Sequence, residues 1–471
     1  MESQSTSRLP GKKRVFITGA TGTMGMATLH EFTSRRPCPV SITILARPTS
    51  RNRRKLKPFL AMPDIDVIWG DLCDYESVAR GVKDSDFVLH LGGLVSPAAD
   101  YFPEKTKRVN IGGAQNVAKA VMDSGRAEDI YVVYIGSIAQ LGDHRPPHHW
   151  GQTGDPLLPS ALDEYAYSKI EAERAIVDSG IPHWVAMRQT GILSPDLLKK
   201  GSDPITFHVP LEGVLEWTTA EDSGRLMANL CTTPLPDSFW NNFYNIGSGE
   251  TYRLTNYEFE CQLLKAIHCP APEKIFDTRW FALYNFHGQW WADSDVLEEY
   301  LHFRSGLTMQ EYFHKMADSL PFYFRLTPLA PPALIKWGMK MVASKNSLGT
   351  LYWLKNNVED RIHTHFGSRE EQSLIPSWEA LKPRLNIPLS RKPPKDMPPQ
   401  KDIHTLSLVD MKQKAHERGG ECISGKMEAG DMATKLTWKC RRGHIFEASP
   451  ALIWQGGHWC PECLWNHCHP Y

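Results

Sequence analysis

The chain has 471 residues and a formal net charge of zero, with 53 Lys and Arg balancing 53 Asp and Glu. That length buries a large core and calls for more than one domain, while the balanced charge supplies no overall field toward nucleic acid or an anionic membrane. Ten cysteines are too few for a disulfide framework in such a chain, no apolar run reaches the roughly 18–20 residues of a membrane span, and the polar stretch Met1–Gly11 does not read as a secretory leader, so a reducing cytoplasm is the expected compartment.

The first informative element is Val15 to Gly25, V-F-I-T-G-A-T-G-T-M-G. A β-branched and aromatic run ends in a glycine turn, and the residues through Phe32 suit a helix. Gly19 allows the tight turn, Gly22 lets the backbone approach a pyrophosphate, and Gly25 lets helix and strand pack closely. Free N–H groups at the helix start then face phosphate charge, with Thr21, Thr23 and Met24 completing the cradle. A second strand, Ile42–Leu45, runs into Ala46-Arg47-Pro48-Thr49-Ser50-Arg51 with no acid in reach. An acidic side chain there would accept from a free ribose 2′-hydroxyl, whereas Arg47 neutralises a 2′-phosphate, which favours NADP(H) over NAD(H). Strands are expected at 13–18, 41–45, 65–69, 86–91, 131–136 and 183–187. Alternating with helical stretches, they spell an α/β fold with a doubly wound parallel sheet.

The run Val132–Ser137 brings a serine hydroxyl to the edge of that sheet. Downstream stands Tyr165-Ala166-Tyr167-Ser168-Lys169. Tyr165 and Lys169 are four apart and share one helix face. A nearby ammonium favours the phenolate, so Lys169 is expected to lower the Tyr165 pKa and let it pass a proton to or from a carbonyl oxygen that Ser137 positions.

These residues resemble the extended short-chain dehydrogenase/reductases over about residues 12–320. Thr18–Gly25 is similar to the family's TGxxGxxG cofactor turn, and Gly70-Asp71-Leu72 to its adenine-facing turn. His90-Leu91-Gly92-Gly93 stands in place of H-x-A-A, and Val109–Val117, with Asn110, looks like its VNxxGTxNV helix. Ser137–Gly142 lacks the tyrosine of SxxVYG. Arg188-Gln189-Thr190-Gly191-Ile192-Leu193-Ser194-Pro195 departs from RPxxxYGP in the same way. The resemblance implies a Rossmann-type fold and a nicotinamide cofactor held by Asp71, Leu72, Leu91, Gly92, Gly93, Gln189 and Ile192 besides the glycine turn, Arg47, Tyr165 and Lys169. It implies catalysis by Ser137, Tyr165 and Lys169, with Asn110 completing a water relay. The expected activity is NADP(H)-dependent interconversion of a ketone or aldehyde and an alcohol. Two alternatives stand beside it: a nucleotide-sugar epimerase or dehydratase with tightly bound NAD(P), and a non-catalytic NADP(H) sensor.

From about residue 195 a small α/β lobe is expected to supply most of the substrate pocket. It is rich in aromatics (Trp217, Trp240, Phe243, Tyr244, Trp280, Phe281, Tyr284, Phe286, Trp290, Trp291), which as a group would suit a bulky, fairly apolar small molecule, although core packing accounts for most of them. Residues 321–390 read as a helical extension, with amphipathic stretches at Pro331–Met341 and Leu348–Asn356 that pack on the protein in preference to lying on a membrane surface. Residues 391–402 form a stiff, Pro-rich linker.

The module at 403–471 carries Cys440-Arg441-Arg442-Gly443-His444 and Cys460-Pro461-Glu462-Cys463. Two such knuckles supply four tetrahedral ligands, Cys440, His444, Cys460 and Cys463, for a closed structural zinc. Cys422, Cys468, His467 or His469 stand as substitutes for His444. Residues 403–466 resemble treble-clef or zinc-ribbon domains. Eight Lys and Arg against seven Asp and Glu from Ile403 onward give no nucleic-acid signal, so a protein partner or a lid over the reductase is the expected role. A homodimer follows only from the family resemblance.

Overall fold

The computed structural model describes residues 12–96, 98–199, 203–320, 330–397 and 401–469. The segment Met1–Gly11, expected not to be a leader, lies outside them, as do the first residues of the 321–390 extension and part of the Pro-rich linker.

Seven parallel strands form the central sheet. Along the chain they run β1 (Lys13–Thr18), α1 (Thr23–Ser34), β2 (Val40–Ala46), α2 (Ser50–Leu56), β3 (Ile65–Trp69), α3 (Tyr75–Val82), β4 (Phe87–His90), α4 (Gly112–Asp123), β5 (Tyr131–Ser137), α5 (Glu164–Val177), β6 (His183–Gln189), α6 (Ala220–Thr232) and β7 (Asn242–Ile246). The order across the sheet is β7-β6-β5-β4-β1-β2-β3. The chain therefore reverses direction between β1 and β4, and an open α/β sheet binds ligands at the carboxyl ends of its strands at such a switch point. Helices α1 and α6 pack together on one face, while α3, α4 and α5 line the other. The buried runs V-F-I-T in β1 and F-V-L-H in β4 are the continuous apolar segments that a sheet covered on both faces requires. This is a Rossmann-type α/β fold.

Six strands lie where the sequence places them. The seventh, β7, does not: its residues N-F-Y-N-I fall in the stretch assigned to the lobe. The chain leaves the sheet after β6, builds part of the lobe, and returns to pair with β6 in parallel. Phe243 and Tyr244 are consequently core residues of the sheet, with exposures of 2% and 5%. Trp240, Trp280, Phe281, Trp290 and Trp291 are buried as well.

The lobe shares its core with the extension. Phe207, Phe276, Trp280 and Phe281 pack with Ala343, Leu381 and Leu385. The helix Pro332–Ala343 turns Ile335, Met339 and Val342 toward this cluster and leaves Leu334, Trp337 and Met341 exposed. Arg391, in the Pro-rich stretch, is tied down by Arg253, which donates to its carbonyl at 2.7 Å, and by Glu258 at 3.0 Å.

The last module has a helix (Leu408–Glu417), a three-stranded antiparallel sheet (Glu421–Cys422, Leu436–Lys439, Ile445–Ala448) and a closing helix (Pro461–Cys468). Its Leu406, Met411, Trp438, Leu452 and Ile453 belong to the same buried cluster as Val117, Val132, Ile176, Trp184 and Phe243. It thus covers the outer side of α5 instead of standing apart on its linker. No helix among the described residues is long and apolar enough to cross a membrane.

Candidate active site and metal cluster

The glycine turn has the geometry its sequence implies. Gly19 has φ +75°, and a Cβ there would lie 2.6 Å from the Gly92 backbone. A Cβ on Gly25 would lie 2.4 Å from the Gly19 carbonyl oxygen. Both positions therefore exclude any larger residue. Gly22 caps α1 with no side chain on its free N–H groups, and the first turn holds no acid. An uncapped, uncharged helix start is where a phosphate is stabilised by backbone N–H groups and the helix dipole. Lys55 of α2 donates to the Thr21 carbonyl at 2.8 Å and pins the loop, a contact that its place in a basic run does not announce. Arg47 is exposed at the end of β2, with its side chain free to meet a ligand on the turn.

Around the turn, the other expected cofactor residues come together. Thr18 donates to or accepts from His90 Nδ1 at 2.8 Å and accepts from Gly92 N–H at 3.1 Å, which couples β1 to the Leu91-Gly92-Gly93 turn. Burial holds His90 neutral, its pKa down near 3. Asp71 caps its own turn by accepting from Cys73 N–H at 2.9 Å. Leu72 packs against Gly113, where a Cβ would lie 2.7 Å away. Gln189 ends β6 and accepts from Ser223 at 3.2 Å, and Ile192 follows in a short strand.

Ser137 ends β5, and its hydroxyl accepts from Ala139 N–H at 3.2 Å. Tyr165 lies in the first turn of α5, which Asp163 caps by accepting from Ala166 N–H at 2.8 Å. Asn110 sits on a π-type turn, Lys107–Ile111, a distortion common at functional sites. Fully buried, it accepts from Leu94 N–H at 2.7 Å and donates to Ser168 Oγ at 2.8 Å. A Cβ on Gly93 would lie 3.1 Å from Asn110 Oδ1 and 3.6 Å from Lys169 Nζ, so Gly93 leaves open the space between them.

One expectation is corrected here. Lys169 does not lower the Tyr165 pKa in this structure. Its Nζ donates to the Ile135 carbonyl at 2.6 Å, and burial brings its own pKa down to about 8. Burial pushes the Tyr165 phenol up to about 12, helped by the charges of Asp163 and Asp100 and opposed by the Ser137 hydroxyl. The i,i+4 spacing does put both residues on one face, but the lysine's long stem carries its charge down toward β5.

A cavity of about 70 Å³ lies at the start of α5; Tyr165 does not line it, and its walls mix Asp100, Asp163, His208, Asn285, Arg361 and His365 with Ile205, Leu348 and Trp353. Asp100 accepts from Tyr165 N–H at 3.4 Å, and its pKa is pushed up to about 6 by burial and the neighbouring Asp163. His208 is held neutral near 4 by burial. No sequence motif marks these residues: they come from five separated stretches of chain that only the fold joins. Of the ten aromatics expected to line the pocket, Trp240, Phe243 and Tyr244 pack in the core of the sheet, Trp280, Phe281, Trp290 and Trp291 are buried too, and Phe286 lines this cavity.

In the last module the ligand atoms of Cys440, His444, Cys460 and Cys463 all lie within 4.8 Å of one another. Cys440 Sγ and Cys463 Sγ are 3.7 Å apart, and His444 Nδ1 lies 3.4 Å from Cys460 Sγ. The edge of a tetrahedron with Zn–S bonds of about 2.3 Å is about 3.8 Å, so the four groups fit one zinc ion. His444 Nε2 faces Glu462 at 3.4 Å, a carboxylate placed to orient the ring. The substitutes for His444 lie outside this group of four. His467 donates to the Pro159 carbonyl at 2.7 Å, His469 pairs with Glu164 at 2.8 Å, and the Cys468 carbonyl accepts from Leu162 N–H. Cys422 pairs through its backbone with Trp438 in the small sheet.

Nothing in the sequence pattern shows how this module grips α5. Glu173, one turn after Lys169, accepts from Arg188 at 2.7 Å and from His458 at 2.8 Å, all three side chains fully buried. Its pKa is held down to about 2: the Arg188 charge and the His458 hydrogen bond outweigh the burial that alone would raise it. Arg174 donates to the Trp459 carbonyl at 2.8 Å, and Asp178 accepts from Ser449 at 2.6 Å.

Residues 15–183 match the model of the NAD dependent epimerase/dehydratase family. Over 115 residues the chain is 33% identical to the inverting UDP-N-acetylglucosamine 4,6-dehydratase of Campylobacter jejuni, covering 24% of this chain and 34% of that one. Over 187 residues it is 27% identical to mouse 3 beta-hydroxysteroid dehydrogenase type 7, covering 37% and 49%. The chain thus spans a third to a half of the length of these two relatives. The solved UDP-glucose 4-epimerase of Thermus thermophilus, in complex with NAD, superposes with a TM-score of 0.51 at 17% identity, covering 66% of this chain and 99% of that one. That likeness shows the fold.

Proposed function

We propose that the chain is a nicotinamide-dependent enzyme of the epimerase/dehydratase kind, acting on a hydroxyl-rich, nucleotide-linked sugar. One observation carries this substrate class above the bulky apolar ketone: beside the apolar Ile205, Phe286, Leu348 and Trp353, the cavity at the start of α5 is walled by carboxylates, imidazoles, an amide and a guanidinium, while Trp240, Trp280, Trp290 and Trp291 are buried in the core. Groups of that kind pair with hydroxyls and phosphates and would be left unsatisfied by an apolar ligand. The family matched by residues 15–183, and the dehydratase and epimerase among the similar proteins, support the same reading.

The cofactor fits the residues present. The bare start of α1 and the Gly19–Gly25 turn would hold its pyrophosphate, Asp71 and Leu72 would border the adenine, and Lys169, Tyr165 and Gly93 would surround the nicotinamide ribose. Arg47 would meet a 2′-phosphate, so NADP(H) is preferred, and Arg47→Glu is expected to shift preference toward NAD(H) in equilibrium binding; an unchanged ratio of the two affinities removes that assignment. A nicotinamide held there would supply a reversible hydride acceptor. Tyr165 moves the proton at the substrate oxygen, Ser137 positions that oxygen, and Asn110 fixes the backbone at Leu94 and the hydroxyl of Ser168 beside them. The same reading gives Cys440, His444, Cys460 and Cys463 to a structural zinc with no open position.

The test is incubation of the zinc-loaded protein and added cofactor with UDP- and dTDP-hexoses, with NMR analysis of the sugars. An epimerised or dehydrated sugar with no net reduced nicotinamide is expected. Unchanged sugars, together with NADPH oxidation by steroid or aromatic ketones, would return the function to ketone–alcohol interconversion.

A further inference from the structure

A second and larger cavity, of about 510 Å³, lies between the last module and the sheet domain, away from the Tyr165 site. Four arginines line it: Arg174 from α5, Arg418 from the end of the module's first helix, and Arg441 and Arg442 from the first metal knuckle. No carboxylate lines it, but three of the four candidate metal ligands, Cys440, Cys460 and Cys463, do. Arg418, Arg441 and Arg442 form no ion pair among the described residues, and Arg174 has only Glu171 near its Nε, at 3.6 Å. That Nε has no hydrogen-bond partner, while Arg174 Nη2 donates to the Trp459 carbonyl and Arg418 Nη2 to the Gly457 and His458 carbonyls. The facing wall is apolar, from Pro156, Leu157, Pro159, Ile170 and Leu464. A zinc held by three thiolates and one imidazole would carry one net negative charge, against four guanidinium charges here.

We propose that this cavity is a second binding site, for a phosphorylated small molecule with a compact apolar body. Arginine forks match phosphate oxygens in pairs, and guanidinium groups with one carboxylate partner among them around a part-enclosed space leave a positive potential for an anion to neutralise. The size suits an organic phosphate and far exceeds a bare ion. The apolar wall opposite the arginines takes the rest of the molecule. Because Arg174 and Ile170 stand on α5, the occupant touches the helix that carries Tyr165 and Lys169.

Isothermal titration of the full-length, zinc-loaded protein tests the site, with saturating NADP⁺ present to fill the nicotinamide site. The probes are 1-naphthyl phosphate, 1-naphthol and inorganic phosphate. Naphthyl phosphate is expected to bind one per chain, at least tenfold more tightly than either naphthol or inorganic phosphate. The exposed pair Arg441→Glu with Arg442→Glu is expected to weaken it at least tenfold without changing NADP⁺ affinity. Leu464→Trp, which fills the cavity and leaves the charges alone, should weaken it as much. No binding of naphthyl phosphate, equal binding of naphthol, or binding that survives both variants overturns the proposal.

Discussion

At the scale of single residues, Tyr165 and Lys169 divide their tasks differently from what their spacing suggests. A phenol pushed up to about 12 stays protonated at neutral pH, ready to donate. Tyr165→Phe is expected to lower turnover by about 10²–10⁴ with cofactor affinity little changed, measured by steady-state kinetics beside equilibrium cofactor binding. Near-normal turnover in that variant would remove Tyr165 from the mechanism. Lys169 has the opposite shift, from 10.5 down to about 8 through burial. A lysine whose folded pKa is depressed makes folding costly while it is protonated. That cost is fully present below pH 8 and disappears as pH rises to 10.5, a difference of about 3 kcal/mol. The thermal midpoint of the unsubstituted protein should therefore rise relative to that of Lys169→Met between pH 8 and 10.5. A constant gap between the two would show that burial does not shift this lysine. The sequence names both residues, because their types and order are local; it cannot show that the amine reaches Ile135 instead of the phenol.

Among the elements, the β1–α1 unit is the most fully written in the sequence. Its glycines obey local rules, and the structure shows why each is needed. Gly19→Ala places a Cβ 2.6 Å from Gly92 at φ +75°, a strained conformation costing about 1–2 kcal/mol before the clash is relieved. The expected result is a folded protein with much weaker cofactor binding, read by circular dichroism and by titration with NADPH. Full affinity would mean that the turn does not hold the cofactor. Strand β7 shows the opposite case. Five residues with two aromatics carry no periodic signal that separates a sheet edge from a lobe. Only their pairing with β6, after a long excursion, makes them a strand. The cavity at the start of α5 is unreadable for the same reason: Asp100, His208, Asn285 and His365 are far apart in sequence and none belongs to a motif.

Over the whole molecule, the last module braces α5, the helix that bears Tyr165 and Lys169. It shares a hydrophobic cluster with the sheet domain, and His458 and Gly456 complete the partners of buried Glu173 and Arg188. Removing one partner of a buried charged pair costs about 3–5 kcal/mol. Stripping the metal with a strong chelator is expected to lower the thermal midpoint and to speed hydrogen exchange along α5, including the turn that bears Lys169. Loss of order confined to residues 436–468, with α5 unchanged, would show that the two parts are not coupled. The Pro-rich stretch reads as a spacer because its composition is extended; what composition cannot express is that Arg253 and Glu258 pin it to the lobe.

The sequence by itself determined the doubly wound sheet and named the candidate phosphate turn, the Ser137, Tyr165 and Lys169 set, and the four candidate metal ligands. Each depends on contacts between near neighbours or on a residue type whose chemistry has few uses. The tertiary structure decided where charges sit, what lines the cavities and how the metal module meets α5. Those depend on burial and on contacts between distant segments, which enter the free energy only once the chain has closed on itself.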